Sequence, residues 1–465
     1  MENKFSRRSF LYSVSMLAAG TALATPLTGF GMNRKMKVVL VGTGVRGISF
    51  WGKRLVEQYG DTLEFVGLSD INPGRLEYAK QFMGVNCPTF VDFDEMVTKT
   101  KPDLIIVTTM DSTHHEFIIK GLNAGIDVLT EKPLTTDENK CQQIVDAERK
   151  SSKNLIVGFN YRWSPYITKI KELLQNDEIG EITSVDFHWY LNVHHGASYF
   201  RRWHGVAENG GSLWVHKSTH HFDLLNWWLD SDPEEVFAYG ALEHYGSNGP
   251  FRGKSCRSCA HKTDCQYYWD VTKSQHDMNL YVKNEEHDGY TRDGCVYRHE
   301  IDIFDKMSAQ IKYANKAVVN YSLTTYSPYE GWKVSFNGQK GRIDAWLDIP
   351  FMGKDSLDQE ALHSAEMNQN MDDMNQEPLV VHKNFEKPQF VNVVSERGGH
   401  GGGDRRLHDK IFKNPGADDP YKHSAGIRDG VMSVLVGVAA RESIAKNAPI
   451  KIASLTDIKP TADRS

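Results

Sequence analysis

The stretch that decides the fold lies at residues 37–47, where Lys-Val-Val-Leu-Val runs directly into Gly-Thr-Gly-Val-Arg-Gly. The apolar, β-branched run predicts a buried strand. Glycines at this spacing are typical of a tight turn that lets the backbone approach a pyrophosphate, and a helix from Phe50 to Tyr59 is predicted to follow. That context is the one a dinucleotide-binding turn requires. We therefore expect phosphate contacts from Gly42, Thr43, Gly44, Val45, Arg46 and Gly47.

A carboxylate at the end of the next predicted strand indicates which dinucleotide binds. The apolar run from Leu63 to Ser69 is followed by Asp70. A carboxylate in this place accepts hydrogen bonds from the hydroxyls of the adenosine ribose and repels a 2′-phosphate, which favours NAD over NADP. Arg46 and Arg75 leave NADP open, because an arginine can neutralise the 2′-phosphate. Asp70 is also placed to cap a helix that begins after Asn72.

Strand-like and helix-like segments continue to alternate beyond this point. Apolar runs at Leu104–Val107, Asp127–Thr130 and Leu155–Asn160 are separated by a helix that carries two histidines and by a helix from Asp137 to Lys150. Regular alternation predicts a doubly wound parallel sheet over residues 35–160. Ligands of such sheets bind at the carboxyl ends of the strands. Further cofactor contacts are therefore expected from Thr108, Thr109, His115, Glu131, Lys132 and Asn160.

Two further motifs make this pattern specific: Glu131-Lys132-Pro133 after a strand, and Gly-Phe-Asn-Tyr-Arg at residues 158–162. With the glycine turn and Asp70, they occur in an order and spacing that resembles the Gfo/Idh/MocA family, which includes glucose–fructose oxidoreductase and inositol dehydrogenase. The resemblance implies an N-terminal Rossmann domain and then, at residues 161–455, an α+β domain whose open, mostly antiparallel sheet covers the nicotinamide. Family members commonly pair through their open sheets, so the resemblance also implies a homo-oligomer.

A histidine-rich segment at residues 210–223 is the expected catalytic element. It is predicted to be a helix that places His216 and His220 on one face. The family's usual form is Asp-x-Gly-x-His-x-x-Asp, and this chain has His220 and Asp223 but a histidine at position 216. The resemblance implies that His220 is the general base and that Lys132 holds the substrate oxygen and the cofactor. His216 would then bond the substrate, and a metal held by the two histidines is an alternative.

Together these residues predict an NAD-dependent oxidoreductase that acts on a secondary hydroxyl group of a sugar, glycoside or polyol. The cofactor takes the hydride, and the protein must orient the carbon and supply a base. Residues 188–203 are crowded with aromatic and basic side chains, which stack on sugar rings and bond hydroxyls. Two rival interpretations are an enzyme that cleaves glycosides through transient oxidation and a non-catalytic sugar- or NAD-binding protein. The expected substrate contacts are Tyr161, Arg162, Trp203, Lys217 and His400.

Two polar insertions are predicted in the second domain. The first, residues 240–300, carries four cysteines, a set that suits a structural zinc site or, in an oxidising compartment, two disulfides. Folding before export favours zinc. The second, residues 353–414, contains a glycine run at 398–404 that is expected to bring His400 towards the substrate. The predicted zinc ligands are Cys256, Cys259, Cys265 and Cys295.

The N-terminus is expected to be an export signal. Arg7 and Arg8 precede an apolar stretch from Leu11 to Ala24, which closes with Ala-Leu-Ala. A charged start, a short apolar segment and a small-residue cleavage site predict a secretory signal over residues 1–30 rather than a membrane span. The arginine pair resembles a twin-arginine signal, so the mature protein is expected in the periplasm. The formal charge of −6 is spread along the chain, which argues against nucleic acid as a partner.

Overall fold

The computed structural model describes residues 34–347, 378–393 and 399–464 of the chain. The predicted export signal, residues 1–30, lies outside the described residues. The described chain forms one sheet of six strands and one of nine. The first is a parallel sheet built from alternating strands and helices and the second is a mostly antiparallel sheet, so the predicted α/β domain followed by an α+β domain is confirmed.

The first sheet contains β1 (Met36–Val41), β2 (Leu63–Ser69), β3 (Thr89–Phe90), β4 (Leu104–Val107), β5 (Asp127–Thr130) and β6 (Leu155–Val157). All its pairings are parallel, in the order β3-β2-β1-β4-β5-β6. The order reverses between β1 and β4, which is the switch point where ligands of doubly wound sheets bind. β6 is shorter than predicted because the main-chain amide of Phe159 bonds back to the carbonyl of Val157 and turns the chain.

Helices connect the strands of this sheet. The first, α1, begins at Gly47 rather than at the predicted Phe50, with π-type hydrogen bonds over Gly47–Lys53 and regular ones over Arg54–Tyr59. Asn72 caps the next helix by accepting from the main-chain amide of Arg75, so the capping role considered for Asp70 belongs to Asn72. The remaining helices of this half are α2 (Pro73–Met83), α3 (Phe93–Thr100), α4 (His114–Asn123) and α5 (Glu138–Lys150).

The second sheet contains β7 (Ile182–Asn192), β8 (Pro233–Ala241), β9 (Lys306–Tyr313), β10 (Val318–Ser327), β11 (Gly331–Gly338), β12 (Gly341–Leu347), β13 (Leu379–Lys383), β14 (Gln389–Phe390) and β15 (Ile450–Lys451). Its order is β14-β13-β12-β11-β7-β10-β9-β8-β15. The pairing of β7 with β10 is parallel and the other pairings between its strands are antiparallel, so the sheet is mostly antiparallel, as predicted.

The helices of the second half are α6 (Pro165–Gln175), α7 (Val193–Arg201), α8 (Ala207–Gly210), α9 (Leu213–His216), α10 (Ser218–Leu229), α11 (Gln275–Leu280), α12 (Gly403–His408) and α13 (Ile427–Lys446). One face of β7 is buried through Val185, Phe187 and Trp189, as the sequence alternation predicts. Burying side chains of this size contributes about 1.5–3 kcal/mol each. α13 packs against both α10 and β8, which makes it a core helix.

The histidine-rich segment is not the single helix that the sequence predicts. α9 ends at His216 and α10 begins at Ser218. The two have separate anchors: the side chain of Ser212 caps α9, and the hydroxyl of Tyr321 donates to the hydroxyl of Ser218. His216 and His220 therefore belong to different helices, and the argument that one helix face presents both of them fails.

The predicted second insertion, residues 353–414, is partly a continuation of the sheet. Its described residues include β13, which pairs with β12, and β14, which pairs with β13. Its glycine run leads into α12, in contact with the turn that follows β6. Across the ranges 34–347, 378–393 and 399–464, the longest and most apolar helices fall short of what a membrane crossing needs.

Candidate active site

The glycine turn after β1 has the geometry that a phosphate-binding turn needs. Gly42 has a φ of +90°, and a Cβ atom added to it would lie 2.6 Å from the carbonyl oxygen of Thr108. The hydroxyl of Thr108 donates to the carbonyl of Gly42 at 2.6 Å. The ends of β1 and β4 are thus held against each other at the switch point, and only glycine fits at position 42.

Asp70 supports this turn from the end of β2. Its Oδ2 accepts hydrogen bonds from the main-chain amide of Thr43 at 2.7 Å and from the Thr43 hydroxyl at 3.0 Å. Its Oδ1 accepts from Nη2 of Arg75 at 3.0 Å, and Arg75 also pairs with Asp288 at 2.6 Å. Two carboxylates therefore neutralise Arg75. A glycine-only turn beside a strand-end carboxylate fits a dinucleotide that carries an unmodified ribose.

Glu131 connects the end of β5 to α1. Its Oε1 accepts from Nε of Arg46 at 2.5 Å and from the indole nitrogen of Trp51 at 2.7 Å. The guanidinium of Arg46 also lies 3.6 Å from the ring centroid of Phe50. Glu131 therefore holds α1 and Arg46 in place, and both arginines that left NADP open in the sequence have carboxylate partners.

Lys132 lies at the same edge of the sheet and reaches across to the second half of the chain. Its ammonium donates to the main-chain oxygen of His216 at 3.0 Å. Burial lowers the pKa of Lys132 to about 8, although the nearby Asp111 and Glu131 carboxylates act in the opposite direction. The side chain is therefore a cation at neutral pH, and it loses its proton at a lower pH than an exposed lysine does.

His216 is paired with a carboxylate that the sequence analysis did not identify. Its Nδ1 lies 2.5 Å from Oδ2 of Asp111, and both side chains are largely buried. Burial, reinforced by the charge of Lys132, lowers the pKa of His216 well below its usual value. Burial also raises the pKa of Asp111 well above its usual value, although the charge of Lys132 acts in the opposite direction. The imidazole is therefore neutral at neutral pH and is oriented by Asp111.

His220 lies in a second polar group, which includes the predicted contacts Tyr161, Asn160 and His400. The ring of Tyr161 meets that of His220 edge-on, with centroids 4.7 Å apart, and meets that of His400 in the same way at 4.7 Å. The side-chain nitrogen of Asn160 lies 2.9 Å from Nδ1 of His400 and donates to Asp404 at 2.6 Å. Nδ1 of His220 is buried and bonds no described residue. The glycine run thus brings His400 to this group, and a contact of His400 with the substrate stays a prediction.

His115 is not placed where the sequence predicts. It lies on α4 near Lys140 and Asp137, whose charges affect its pKa, and no described contact connects it to the glycine turn. Its neighbour His114 is fully buried instead, with Nδ1 2.8 Å from the carbonyl of Pro133 and Nε2 3.2 Å from that of Thr109. Adjacent residues of a helix point in different directions, and the histidine that ties two strand ends together is His114.

Arg162 is a structural residue, so the prediction that it binds substrate is not supported. Its Nε and Nη2 donate to the two carboxylate oxygens of Asp223 at 2.8 and 2.6 Å, and Nη2 also donates to Asp429 at 2.8 Å. Only 1% of Arg162 is exposed. By bonding one carboxylate on each helix, the planar guanidinium of Arg162 joins α10 to the start of α13.

The other predicted substrate contacts lie around the Asp111–His216 pair. Trp203 stacks on His204 with ring centroids 3.5 Å apart, and the His204 ring meets that of His216 at 4.1 Å. Lys217 is buried, with its ammonium 4.8 Å from the ring centroid of Trp189. Trp203 thus supports one wall of the site. A substrate contact from Lys217 stays a prediction.

The predicted zinc site is not supported. The structure contains no disulfide among the four cysteines of the insertion, so the alternative of two disulfides is not supported either. The four free thiols are those of Cys256, Cys259, Cys265 and Cys295. The sulfur of Cys256 accepts from Nη1 of Arg201 at 3.0 Å. Within the described ranges no three His, Cys, Asp or Glu side chains are grouped as metal ligands, which also applies to the metal considered for His216 and His220.

This combination of fold and site defines a class. A parallel sheet with a glycine-only turn at its switch point, and a lysine at the same edge that bonds a helix of the second half, is the architecture of two-domain NAD(P)-dependent oxidoreductases.

The chain belongs to the Gfo/Idh/MocA oxidoreductase family. The family's NAD-binding Rossmann fold matches residues 36–159, and its C-terminal alpha/beta domain matches residues 171–452. The resemblance inferred from the sequence motifs and the prediction of an enzyme are thereby confirmed.

Individual proteins that the chain resembles are also oxidoreductases or dehydrogenases by name. The chain is 37% identical over 440 residues to the putative oxidoreductase YteT of Bacillus subtilis, a match that covers 90% of this chain and 98% of that protein. It is 27% identical over 151 residues to an inositol 2-dehydrogenase/D-chiro-inositol 3-dehydrogenase of Lactiplantibacillus plantarum, covering 32% of this chain and 43% of that one. The WlbA dehydrogenase from Bordetella pertussis, solved with NADH and UDP-GlcNAcA, shares the fold, with a TM-score of 0.61, 18% identity, and coverage of 90% and 98% respectively.

Proposed function

We propose that this protein oxidises a secondary hydroxyl group of a sugar, glycoside or polyol, with NAD as the hydride acceptor. The observation that carries the proposal is the Lys132 ammonium, 3.0 Å from the main-chain oxygen of His216 and beside the Asp111–His216 pair. Bound nicotinamide supplies the hydride acceptor. The chain must hold the substrate oxygen and remove its proton.

Lys132 and His216 are suited to these two tasks. The Lys132 ammonium, with a pKa of about 8, is charged at neutral pH and stabilises negative charge on the substrate oxygen. Burial keeps His216 neutral by lowering its pKa, so its imidazole is ready to accept a proton. Between about pH 6.5 and pH 8, both groups are in the protonation state that the reaction requires.

We assign the proton acceptor to His216 rather than to His220, to which the family resemblance had assigned it. The charge of Lys132 favours the ionised form of Asp111, and that carboxylate selects the His216 tautomer with the proton on Nδ1, which leaves the Nε2 lone pair for the substrate. The side-chain hydrogen bond found for His216 among the described residues is made by Nδ1, not by Nε2. His220 has no carboxylate partner among those residues; the rings of Phe159, Tyr161 and His400 surround it. We assign it to substrate contact.

The substrate class is supported by the chemistry of the cleft and by the relatives. The site brings together aromatic rings, imidazoles and a lysine, which bind hydroxyl-rich molecules. One relative is named an inositol dehydrogenase, and a structural neighbour was solved with a nucleotide sugar. NAD is favoured over NADP because Arg46 and Arg75 are both paired with carboxylates.

The decisive experiment is to incubate the full chain with NAD and a panel of polyols, aldoses and glycosides while following reduced nicotinamide by absorbance. We expect at least one compound to be oxidised by the native protein, and the Lys132→Met variant to be inactive on it although still folded. Equal activity of the variant and the native protein, or no oxidation of any compound while NAD is bound, would refute the proposal.

A second candidate, glycoside cleavage through transient oxidation, is favoured by the pair formed by His400 and Asp404, 2.9 Å apart. This pair lies across Tyr161 from His220 and offers a second acid–base group that simple hydride transfer does not require. A nitrophenyl glycoside incubated without added cofactor separates the two. Release of nitrophenol supports cleavage, whereas accumulation of reduced nicotinamide supports net oxidation.

Location and assembly stay proposals. Export by the twin-arginine route to the periplasm is supported by Arg7-Arg8 and the apolar stretch that follows. Replacing both arginines by lysine should leave the precursor in the cytoplasm.

We also propose a homo-oligomer formed through the second sheet, because members of this family commonly pair through their open sheets. Native mass spectrometry of the purified protein tests this proposal.

A further inference from the structure

The cysteine-bearing insertion, residues 240–300, contacts the nucleotide half of the molecule. Its segment Gln275–Asp288, which begins with α11, packs against α2. Leu280 is fully buried and Tyr281 is 7% exposed, both within the hydrophobic core that surrounds β1 and β2. The ring nitrogen Nδ1 of His276 lies 2.9 Å from the hydroxyl of Tyr78 on α2. An element of the second domain is therefore an integral part of the first.

Tyr281 reaches the glycine turn itself. Its hydroxyl accepts a hydrogen bond from the main-chain amide of Val45 at 2.8 Å. Amides of this turn and of the helix start are those that face a dinucleotide's diphosphate. A hydroxyl that accepts one hydrogen bond still has its own proton to donate, here to an anionic oxygen. The ring is held in place by Arg292, whose guanidinium lies 4.8 Å from the ring centroid and bonds Asp277 at 3.1 Å.

The same segment also reaches the ribose side of the site. The main-chain oxygen of Asn284 accepts from the side-chain amide of Asn72 at 2.9 Å, and Asp288 pairs with Arg75 at 2.6 Å. A Cβ atom at Gly74 would lie 2.0 Å from the side-chain oxygen of Asn284, so the close approach depends on that glycine. The segment therefore extends from the glycine turn to Arg75, the arginine that pairs with Asp70.

We propose that Gln275–Asp288 forms an outer wall of the dinucleotide site and retains the bound nucleotide on the protein, with Tyr281 donating to the diphosphate. The wall adds a donor at the phosphates and a carboxylate, Asp288, near the ribose. The nucleotide thus leaves only when contacts between the two domains open. This inference rests on the proposed function only in that a nicotinamide dinucleotide binds, and it needs no assumption about the sugar.

The test is the rate at which NADH leaves the full chain, followed by its fluorescence after mixing with excess NAD. Tyr281→Phe keeps the ring and its contact with Arg292 but removes the hydroxyl. We expect release to be about tenfold faster, because a hydrogen bond to a charged group is lost. Tyr268→Phe, the same change at an exposed tyrosine of the same insertion, is the matched control and should release NADH at the native rate.

Two results would overturn the proposal. An unchanged release rate in a folded Tyr281→Phe protein would show that the hydroxyl does not hold the nucleotide. Slower release would show that it competes with the nucleotide for the Val45 amide. Hydrogen exchange of the native protein provides an independent check, since peptides from residues 275–288 must become more protected when NAD is added. If NAD does not bind at all, the proposed function fails as well, whereas normal sugar oxidation with unaltered release rejects only the wall.

Discussion

Two buried charge clusters in this protein look alike, but they differ in how much of the hydrogen-bonding capacity of their side chains is already used. In the first, the guanidinium of Arg162 bonds both Asp223 and Asp429, so each carboxylate of the cluster has a cation as its partner. In the second, Lys132 donates one hydrogen bond, to His216, and the side-chain hydrogen bond found for His216 among the described residues is made by Nδ1, not by Nε2. Burial of charge is common to both. Unused bonding capacity distinguishes the second cluster, and our proposal that this cluster is the reactive one rests on that difference.

The change with the largest expected effect on turnover is Lys132→Met, which removes the charge and keeps much of the side-chain length. We expect turnover to fall about a thousandfold, because the substrate oxygen loses its positive partner. Steady-state rates under saturating substrate measure the loss, and thermal unfolding shows that the variant is folded.

The pH profile of the native enzyme checks the same residue. The pKa of Lys132 is lowered to about 8, so the ammonium loses its proton as the pH rises through this value and turnover should decline above it. The residual activity of Lys132→Met should lack this decline. A native profile that stays flat to pH 10 would contradict the role of the ammonium.

An intermediate effect is expected from Asp111→Asn. The amide no longer enforces one tautomer of His216, so we expect turnover to fall about a hundredfold with little change in bound nucleotide. The matched control is His115→Ala, which removes a histidine that has no described contact with the site and should leave turnover at the native level. If Asp111→Asn retains full turnover, the proton acceptor is not His216, and His220 becomes the better candidate.

The smallest effect on turnover, and a large effect on stability, is expected from Arg162→Met. It leaves the buried carboxylate of Asp223 without its cation and leaves Asp429 with Arg464 alone, 2.9 Å away, which costs about 3–5 kcal/mol of unfolding free energy. Urea unfolding measures this cost. Turnover per folded molecule should be close to native, and a loss as large as that of Lys132→Met would erase the distinction between the two clusters.

The sequence predicted the first domain closely because its signals are local. Apolar runs of a few residues between polar turns coincide with β2, β4 and β5, and glycine spacing located the dinucleotide turn. Lys132 and Glu131 follow from the same logic, since strand ends of a parallel sheet meet at one edge. Asp111 was within reach of that argument, because it comes shortly after β4, but a single aspartate in a helix start is equally typical of a cap.

The errors concern side chains whose roles are set by distant residues. Arg162 carries a family motif, yet its two carboxylates come from positions 223 and 429. At the break between α9 and α10, Ser218 is bonded by Tyr321 of β10, a partner that periodicity within the helix cannot reveal. The cysteines have the spacing of a zinc site, but the sulfur of Cys256 bonds Arg201 on α7 instead.

Local patterning by itself determined the strands of the nucleotide half, the glycine turn, the strand-end lysine and the family, because alternation, glycine spacing and short motifs act over a few bonds. Only the tertiary structure decided that Asp111 orients His216, that Arg162 is structural, and that Tyr281 touches the glycine turn. Each of these depends on hydrogen bonds between residues many tens of positions apart, and their partners are chosen by how the two sheets pack rather than by any neighbour in the chain.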